Sequence, residues 1–153
     1  IQSIAYKRSM CRIQAVSNRL LKPNEFLKNV YDLLSREDVE PFLVTAAASS
    51  MSIAVECGNA VAHIQNDLAR FADVTIEEGK ATISLVGESL HNLDGAPFEI
   101  LSQLDGLHVS MMVHKASPIN VTLLIDEPDL EEAISRFHAH FFKQLDPTVF
   151  EVT

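Results

Sequence analysis

The residue types able to do chemistry in this chain are six histidines, two cysteines, a short serine cluster and 21 carboxylates. A protein-held zinc would need three or four ligands converging on one point. His138 and His140 are two apart on an expected helix, so they point to different faces. His63, His91, His108 and His114 are dispersed. Ser49 and Ser50 follow Ala48 with no neighbouring His and no Gly-x-Ser-x-Gly elbow, so no activated nucleophile is indicated. The carboxylates sit in turns and on helix faces, and no pair of them reads as general acid and base. Phosphate-loop, dinucleotide and zinc motifs are absent. The expectation is a chain without catalytic residues and without a metal.

Binding chemistry has a clearer basis. Lys22, Pro23, Asn24 and Glu25 read as a loop opening a helix, with Asn24 as the N-cap and Glu25 in the first turn. A helix start leaves backbone N–H groups unsatisfied, and such an end favours a carboxylate. In the expected topology it lies beside the strand start at Phe42 to Thr45. A free amino acid offers a carboxylate to the helix end and an ammonium to oxygen ligands. The corner at Asn92 to Ala96 is its counterpart in the second half. Two readings stand: both corners are capped loops, or both are built to hold a ligand.

The elements that would position these corners repeat. Phe26, Val30 and Leu34 lead through an acidic turn to Val39 and then to the stretch Met51, Ser52, Ile53, Ala54, Val55. About seventy residues later, Phe98, Ile100 and Leu104 lead through Asp105 and Gly106 to Val109 and then to Val121, Thr122, Leu123, Leu124, Ile125. This period is longer than a solenoid repeat and fits a duplicated small unit. Apolar alternation predicts strands over 2–6, 10–16, 39–44, 50–56, 73–77, 81–86, 107–113 and 119–126, with residues 45–49 as a connection. Helical spacing predicts helices from Asn24 to about Arg36, over 59–71, from Asp94 to Pro97 onward, and from Pro128 and Asp129 to about Gln144. Each half then reads strand–helix–strand–strand–helix, with a fourth strand drawn from 73–77 in the first half. In the second half it comes from 148–152 or from 2–6. The fold class is α+β: two ferredoxin-like βαββαβ units, each an antiparallel sheet with helices on one face.

Composition bounds the function. The chain has 153 residues, is 47% hydrophobic and carries a formal charge of −9. That acidity speaks against nucleic acid as a partner. No run approaches the roughly 18 apolar residues of a membrane span, so no membrane partner is expected either. Two cores of about seventy residues each would be marginal alone, which predicts mutual support or dimerisation. Cys11 and Cys57 both fall in apolar strand-like contexts. They are expected to be small buried hydrophobes in a reducing, cytoplasmic compartment rather than a disulfide. The chain begins at Ile1 and enters a strand at once, which reads as a piece of a longer protein.

Several stretches point to a family. They are Lys80 to Gly87 (Lys, Ala, Thr, Ile, Ser, Leu, Val, Gly), Gly95, Met111 to Val121, Leu130 to Ile134 and Phe137 to Phe142. In this order and spacing they resemble the C-terminal regulatory region of aspartokinases, which carries two ACT modules. Ile4, Ala5, Tyr6, Lys7 and the helix from Phe26 to Leu34 are also similar, so the resemblance covers essentially the whole chain. It implies a first module at 9–79 and a second at 1–8 and 80–145, with the N-terminal strand contributed to the second, and 146–153 as a tail. It implies a non-enzymatic fragment of aspartate kinase that senses lysine or threonine and mediates feedback inhibition of amino-acid biosynthesis. The alternative is a dimerisation module of the same enzyme that binds no ligand; a free-standing enzyme on this fold is a third class. The implied partners are a free amino-acid effector, a second copy joined through the ACT modules, and the chain's own kinase domain. ATP and magnesium would belong to that kinase domain alone, so no cofactor is expected here.

The implied effector contacts are Lys22, Asn24, Glu25, Phe26, Leu27, Phe42, Thr45, Ser49 and Ser50, with Asn92, Asp94, Ile119 and Asn120 as a second corner. The chain departs from the family pattern at three places. Glu25 stands where Gly is usual, Phe42 where lysine-sensing members have Asp, and Ala47 and Ala48 where they have a Ser-Glu pair. A ligand ammonium would lack its anionic partners at the first corner. The effector is then a different amino acid, the site has moved to the second module, or the first module only dimerises.

Overall fold

Phe26, Val30, Leu33 and Leu34 recur at helical spacing and form the buried face of α1, Pro23–Arg36. The computed structural model describes residues 3–19, 21–87, 96–116, 119–141 and 148–152. Around α1 come β1 (Ser3–Ser17), β2 (Leu43–Ala47), β3 (Ser50–Glu56), α2 (Asn59–Leu68) and β4 (Ala72–Val86). They are followed by α3 (Ala96–Ser102), β5 (Val109–Ala116), β6 (Ile119–Asp126), α4 (Leu130–Phe141) and β7 (Thr148–Glu151). A single 3-10 turn, Glu127–Asp129, leads into α4.

The chain divides into two compact units, an inserted unit of 9–78 and an outer unit of 1–8 with 79–153. In the inserted unit the strand order is β2-β3-β1-β4, the ferredoxin-like arrangement. Its core gathers Phe26, Val30, Leu33 and Leu34 of α1, Ile64 and Leu68 of α2, and Cys11, Ile13, Met51, Ile53 and Val55 of the sheet. The outer unit runs β7-β1-β4-β6-β5. There the first segment of β1 stands beside β4, in the place of a fourth ferredoxin-like strand. The core of the outer unit includes Ile4, Ile83, Leu85, Ile100, Leu123, Ile125, Leu130 and Phe137.

β1 and β4 each supply a segment to both units, and both change parity where they cross. On β1 the core-facing residues are Ile4 and Tyr6, then Cys11, Ile13 and Ala15. On β4 they are Ala72, Val74 and Ile76, then Ala81, Ile83 and Leu85. The switch coincides with left-handed residues, Ser9 at φ 58° and Gly79 at φ 68°. Glycine takes that conformation freely; serine holds it at a cost.

Several expectations change. The strands expected over 2–6 and 10–16 are one strand, because Ser9 interrupts the alternation without ending the hydrogen-bonded ladder. The strand expected over 73–77 likewise continues past Gly79 to Val86. Residues 45–47 are not a connection but belong to β2, which returns through a tight turn at Ala48 and Ser49 to β3. The N-cap of α1 is Lys22, not Asn24, because Pro23 takes the first helical position, where its fixed φ and missing N–H are tolerated. The expected tail contains β7, whose Thr148, Val149, Phe150 and Glu151 pair in parallel with Ser3, Ile4, Ala5 and Tyr6. An edge of β1 was open to a further strand, and unpaired backbone groups favour filling it.

Cys11 and Cys57 are joined by a disulfide, with Cα atoms 5.2 Å apart. The expectation of two buried thiols is overturned by register. Antiparallel pairing sets Cys11 opposite Val55, and Cys57 turns back so that its N–H donates to the Ser9 carbonyl at 3.0 Å.

Candidate functional site

The corner at the start of α1 is assembled by three segments of the inserted unit. The Ser17 N–H donates to the Ser49 carbonyl at 2.8 Å, which ties the end of β1 to the β2–β3 turn. The Asn18 N–H donates to the Phe71 carbonyl at 3.1 Å, and Asn18 Nδ2 donates to Asp73 Oδ1 at 3.1 Å. The loop entering α1 is therefore held on one side by the hairpin turn and on the other by the segment that leaves α2. The first helical hydrogen bond runs from the Phe26 N–H to the Lys22 carbonyl at 3.0 Å. Pro23 has no N–H, so Asn24 and Glu25 carry the backbone donors with no partner inside the helix. No side chain caps them.

The expected contacts divide. Lys22, Asn24 and Glu25 are exposed at the helix start, and Ser49 and Ser50 stand at the adjoining turn. Phe26 is fully buried, in edge contact with Phe71 at 6.0 Å between ring centroids, so its side chain is core and not a ligand contact. Leu27 is half-buried against the same core. Thr45 is exposed on β2. Phe42 does not join the corner within one chain. β2 and β1 both pair antiparallel with β3, so β2 runs parallel to β1 and its end, not its start, comes to the beginning of α1. Phe42 lies five residues before Ala47, about 16 Å away at roughly 3.3 Å per residue. The expectation that the strand start faced the helix overlooked this direction.

Of the second corner, Asn92 and Asp94 lie outside the described residues. Ile119 opens β6, paired with Ala116. Asn120 Oδ1 accepts from Thr122 Oγ1 at 3.0 Å, and Thr122 is within 2.8 Å of Ser84 Oγ across the β4–β6 pair. Asn120 is thus partly committed to a side-chain chain on the sheet.

Among the described residues the titratable side chains do not converge elsewhere. Among the described residues no group of three His, Cys, Asp or Glu side chains could hold a metal ion. His140 Nε2 meets Glu99 Oε1 at 2.9 Å, and His63 and His108 each stand near one carboxylate, Glu37 at 3.6 Å and Asp126 at 3.9 Å. A groove of about 620 Å³ between α1 and α2 is lined by Asp32, Arg36, Asp67 and Arg70 among others, and these charges are of both signs. No helix among the described residues is long and apolar enough to cross a membrane.

The fold finds counterparts in known proteins. No family model matches the chain. Lysine-sensitive aspartokinase 3 of Escherichia coli K12 is 22% identical over 150 residues, covering 93% of this chain and 33% of that protein. The structure of E. coli aspartokinase III with aspartate and ADP (R-state) superposes with a TM-score of 0.82 at 23% identity, over 92% of this chain and 33% of that one. A chain from Porphyromonas gingivalis W83, assigned as a C-terminal regulatory domain of aspartate kinase, superposes with a TM-score of 0.82 at 20% identity, over 94% of this chain and 99% of that one. The chain matches the C-terminal regulatory region of aspartokinases. It spans about a third of the curated relative's length and matches the regulatory rather than the catalytic part. The two βαββαβ units share the fold of the regulatory regions in these structures.

What the residue pattern alone did not reveal is the loop anchor. Ser17 and Asn18 hold the corner by backbone bonds that any residue could make, so their types carry no signal. The Cys11–Cys57 pairing could have been found only from the register of β1 and β3.

Proposed function

We propose that this chain is the amino-acid-sensing regulatory region of an aspartate kinase and mediates allosteric feedback inhibition of that enzyme. The observation that carries the reading is the superposition on the P. gingivalis chain assigned as a C-terminal regulatory domain of aspartate kinase, over 94% of this chain and 99% of the other at a TM-score of 0.82. The effector is a free amino acid, with lysine and threonine as first candidates. Its carboxylate meets the Asn24 and Glu25 backbone N–H groups, and Lys22, Thr45, Ser49 and Ser50 are within the same corner. The ligand acts by binding one arrangement of the region more tightly than another, and the shift equals that difference in affinity. ATP and magnesium serve the kinase part, which is the region's partner, and the enzyme works in the cytoplasm without nucleic acid or membrane.

Isothermal titration of the chain with lysine, threonine and methionine tests this. Saturable heat from one of them is expected; no heat from any would overturn the sensing role. A second reading is then favoured by β2, the edge strand of the inserted sheet. Its exposed Thr45, Ala46 and Ala47 offer a flat, uncharged edge to a second copy. A dimer in sedimentation that ignores amino acids would support that dimerisation role.

A further inference from the structure

We propose that the Cys11–Cys57 disulfide is a redox-responsive clamp on α2. Its two sulfurs differ in access. Cys57 is exposed, whereas Cys11 is 1% exposed within the inserted core. A dithiol reductant therefore attacks Sγ of Cys57. The Cys11–Cys57 bond breaks, and Cys11 leaves as a thiolate and takes up a proton. The reductant's second thiol then attacks the mixed disulfide and frees the Cys57 thiol. The dithiol is oxidised to its disulfide, and the protein gains two electrons and two protons. After reduction Cys11 stays a small apolar side chain among Ile13, Val55 and Ile64. The reduced unit thus keeps its core and can be reoxidised.

The element that depends on this bond is α2. It has ten residues, no side-chain cap at Gly58, no acid in its first turn and no base in its last. Ile64 and Leu68 are its fully buried side chains. A helix this short and this poorly capped draws its stability from outside itself. At its start the outside ties are the disulfide and the Cys57 N–H bond to the Ser9 carbonyl. Past its end, Phe71 packs on Phe26 and its carbonyl accepts from Asn18. The same short helix therefore links the cysteine pair to the loop that enters α1. The bond also closes a sequence separation of 46, enclosing α1, β2 and β3, so reduction releases a long loop in the unfolded chain. In reducing compartments a disulfide of this kind acts as a sensor rather than a permanent staple.

The test compares the 153-residue chain oxidised and after dithiothreitol, with alkylation and mass analysis to count thiols. No alkylation before reduction and two sites after it are expected; two reactive thiols in the untreated chain would overturn the proposal. Amide hydrogen exchange over 58–71 should quicken at least about tenfold on reduction, with exchange in α4 unchanged. The inserted unit's Tm should fall by on the order of 10 °C or more. Unchanged exchange in α2 would overturn the clamp, and Cys57→Ser, which leaves Cys11 in the core, should reproduce the reduced pattern. The coupling to an effector rests on the proposed amino-acid corner: lysine or threonine affinity should differ at least about threefold between the two states. If no amino acid binds in either state while α2 still responds, the sensing role fails and the clamp stands.

Discussion

The Lys80–Asp126 pair of the outer unit should respond very differently to the loss of its two members. Lys80 Nζ lies 2.6 Å from Asp126 Oδ1 and 3.0 Å from Ser110 Oγ. Its side chain is 6% exposed, against 38% for Asp126. At this separation and an effective dielectric constant near 20, the attraction is about 6 kcal/mol, set against several kcal/mol to desolvate the ammonium. In Asp126→Asn the amide oxygen still accepts a hydrogen bond, but the buried ammonium loses the carboxylate charge that stood 2.6 Å away. The loss should be about 3 kcal/mol, the low end for a broken buried pair. In Lys80→Met the buried charge disappears and the half-exposed Asp126 is hydrated, so stability should stay within about 1 kcal/mol of the parent. The double variant should resemble Lys80→Met, since the two changes share one interaction. The assay is urea unfolding in a Tyr31→Phe background, where Tyr6 alone reports the outer unit in a chain without Trp. With a slope of about 1–1.5 kcal/mol/M, Asp126→Asn should lower the midpoint by about 2–3 M. A shift under about 0.5 M, or a Lys80→Met loss as large as that of Asp126→Asn, would refute the reasoning.

Three further outcomes are expected. Phe26→Ala should destabilise the inserted unit by about 3–5 kcal/mol in denaturant unfolding, since a fully buried ring is removed from the contact with Phe71. Gly79→Ala should cost about 1 kcal/mol from its φ of 68° alone, because an added Cβ meets nothing within 4 Å, whereas Ser9→Gly should be neutral or stabilising; thermal melts check both. Glu25→Gln removes an acid from the first turn of α1, which would repel the carboxylate of a ligand at the proposed corner, so titration should show amino-acid affinity raised a few-fold.

Much of the fold was legible because it is written locally. Helical spacing at Phe26, Val30 and Leu34 and the return of the same pattern at Ile100 and Leu104 specify amphipathic elements, and a duplicated set of them leaves few ways to bury two faces. The start of α1 was legible as a helix opening for the same reason, although its cap moved to Lys22 once Pro23 took the first turn. The rest depends on partners distant in sequence. Phe42 sits near Thr45 in the chain, yet strand direction carries it to the far end of the hairpin from the helix start. Val149 belongs to a strand only because β1 has an open edge to accept it. Cys57 finds Cys11 only once β1 and β3 fix their register. Alternation and periodicity are properties of neighbouring residues, so the sequence by itself determined which elements form and which faces are apolar. Register, strand direction and the pairing of distant sulfurs are set by closing long loops at an entropic cost that only the assembled core offsets, and these the tertiary structure decided.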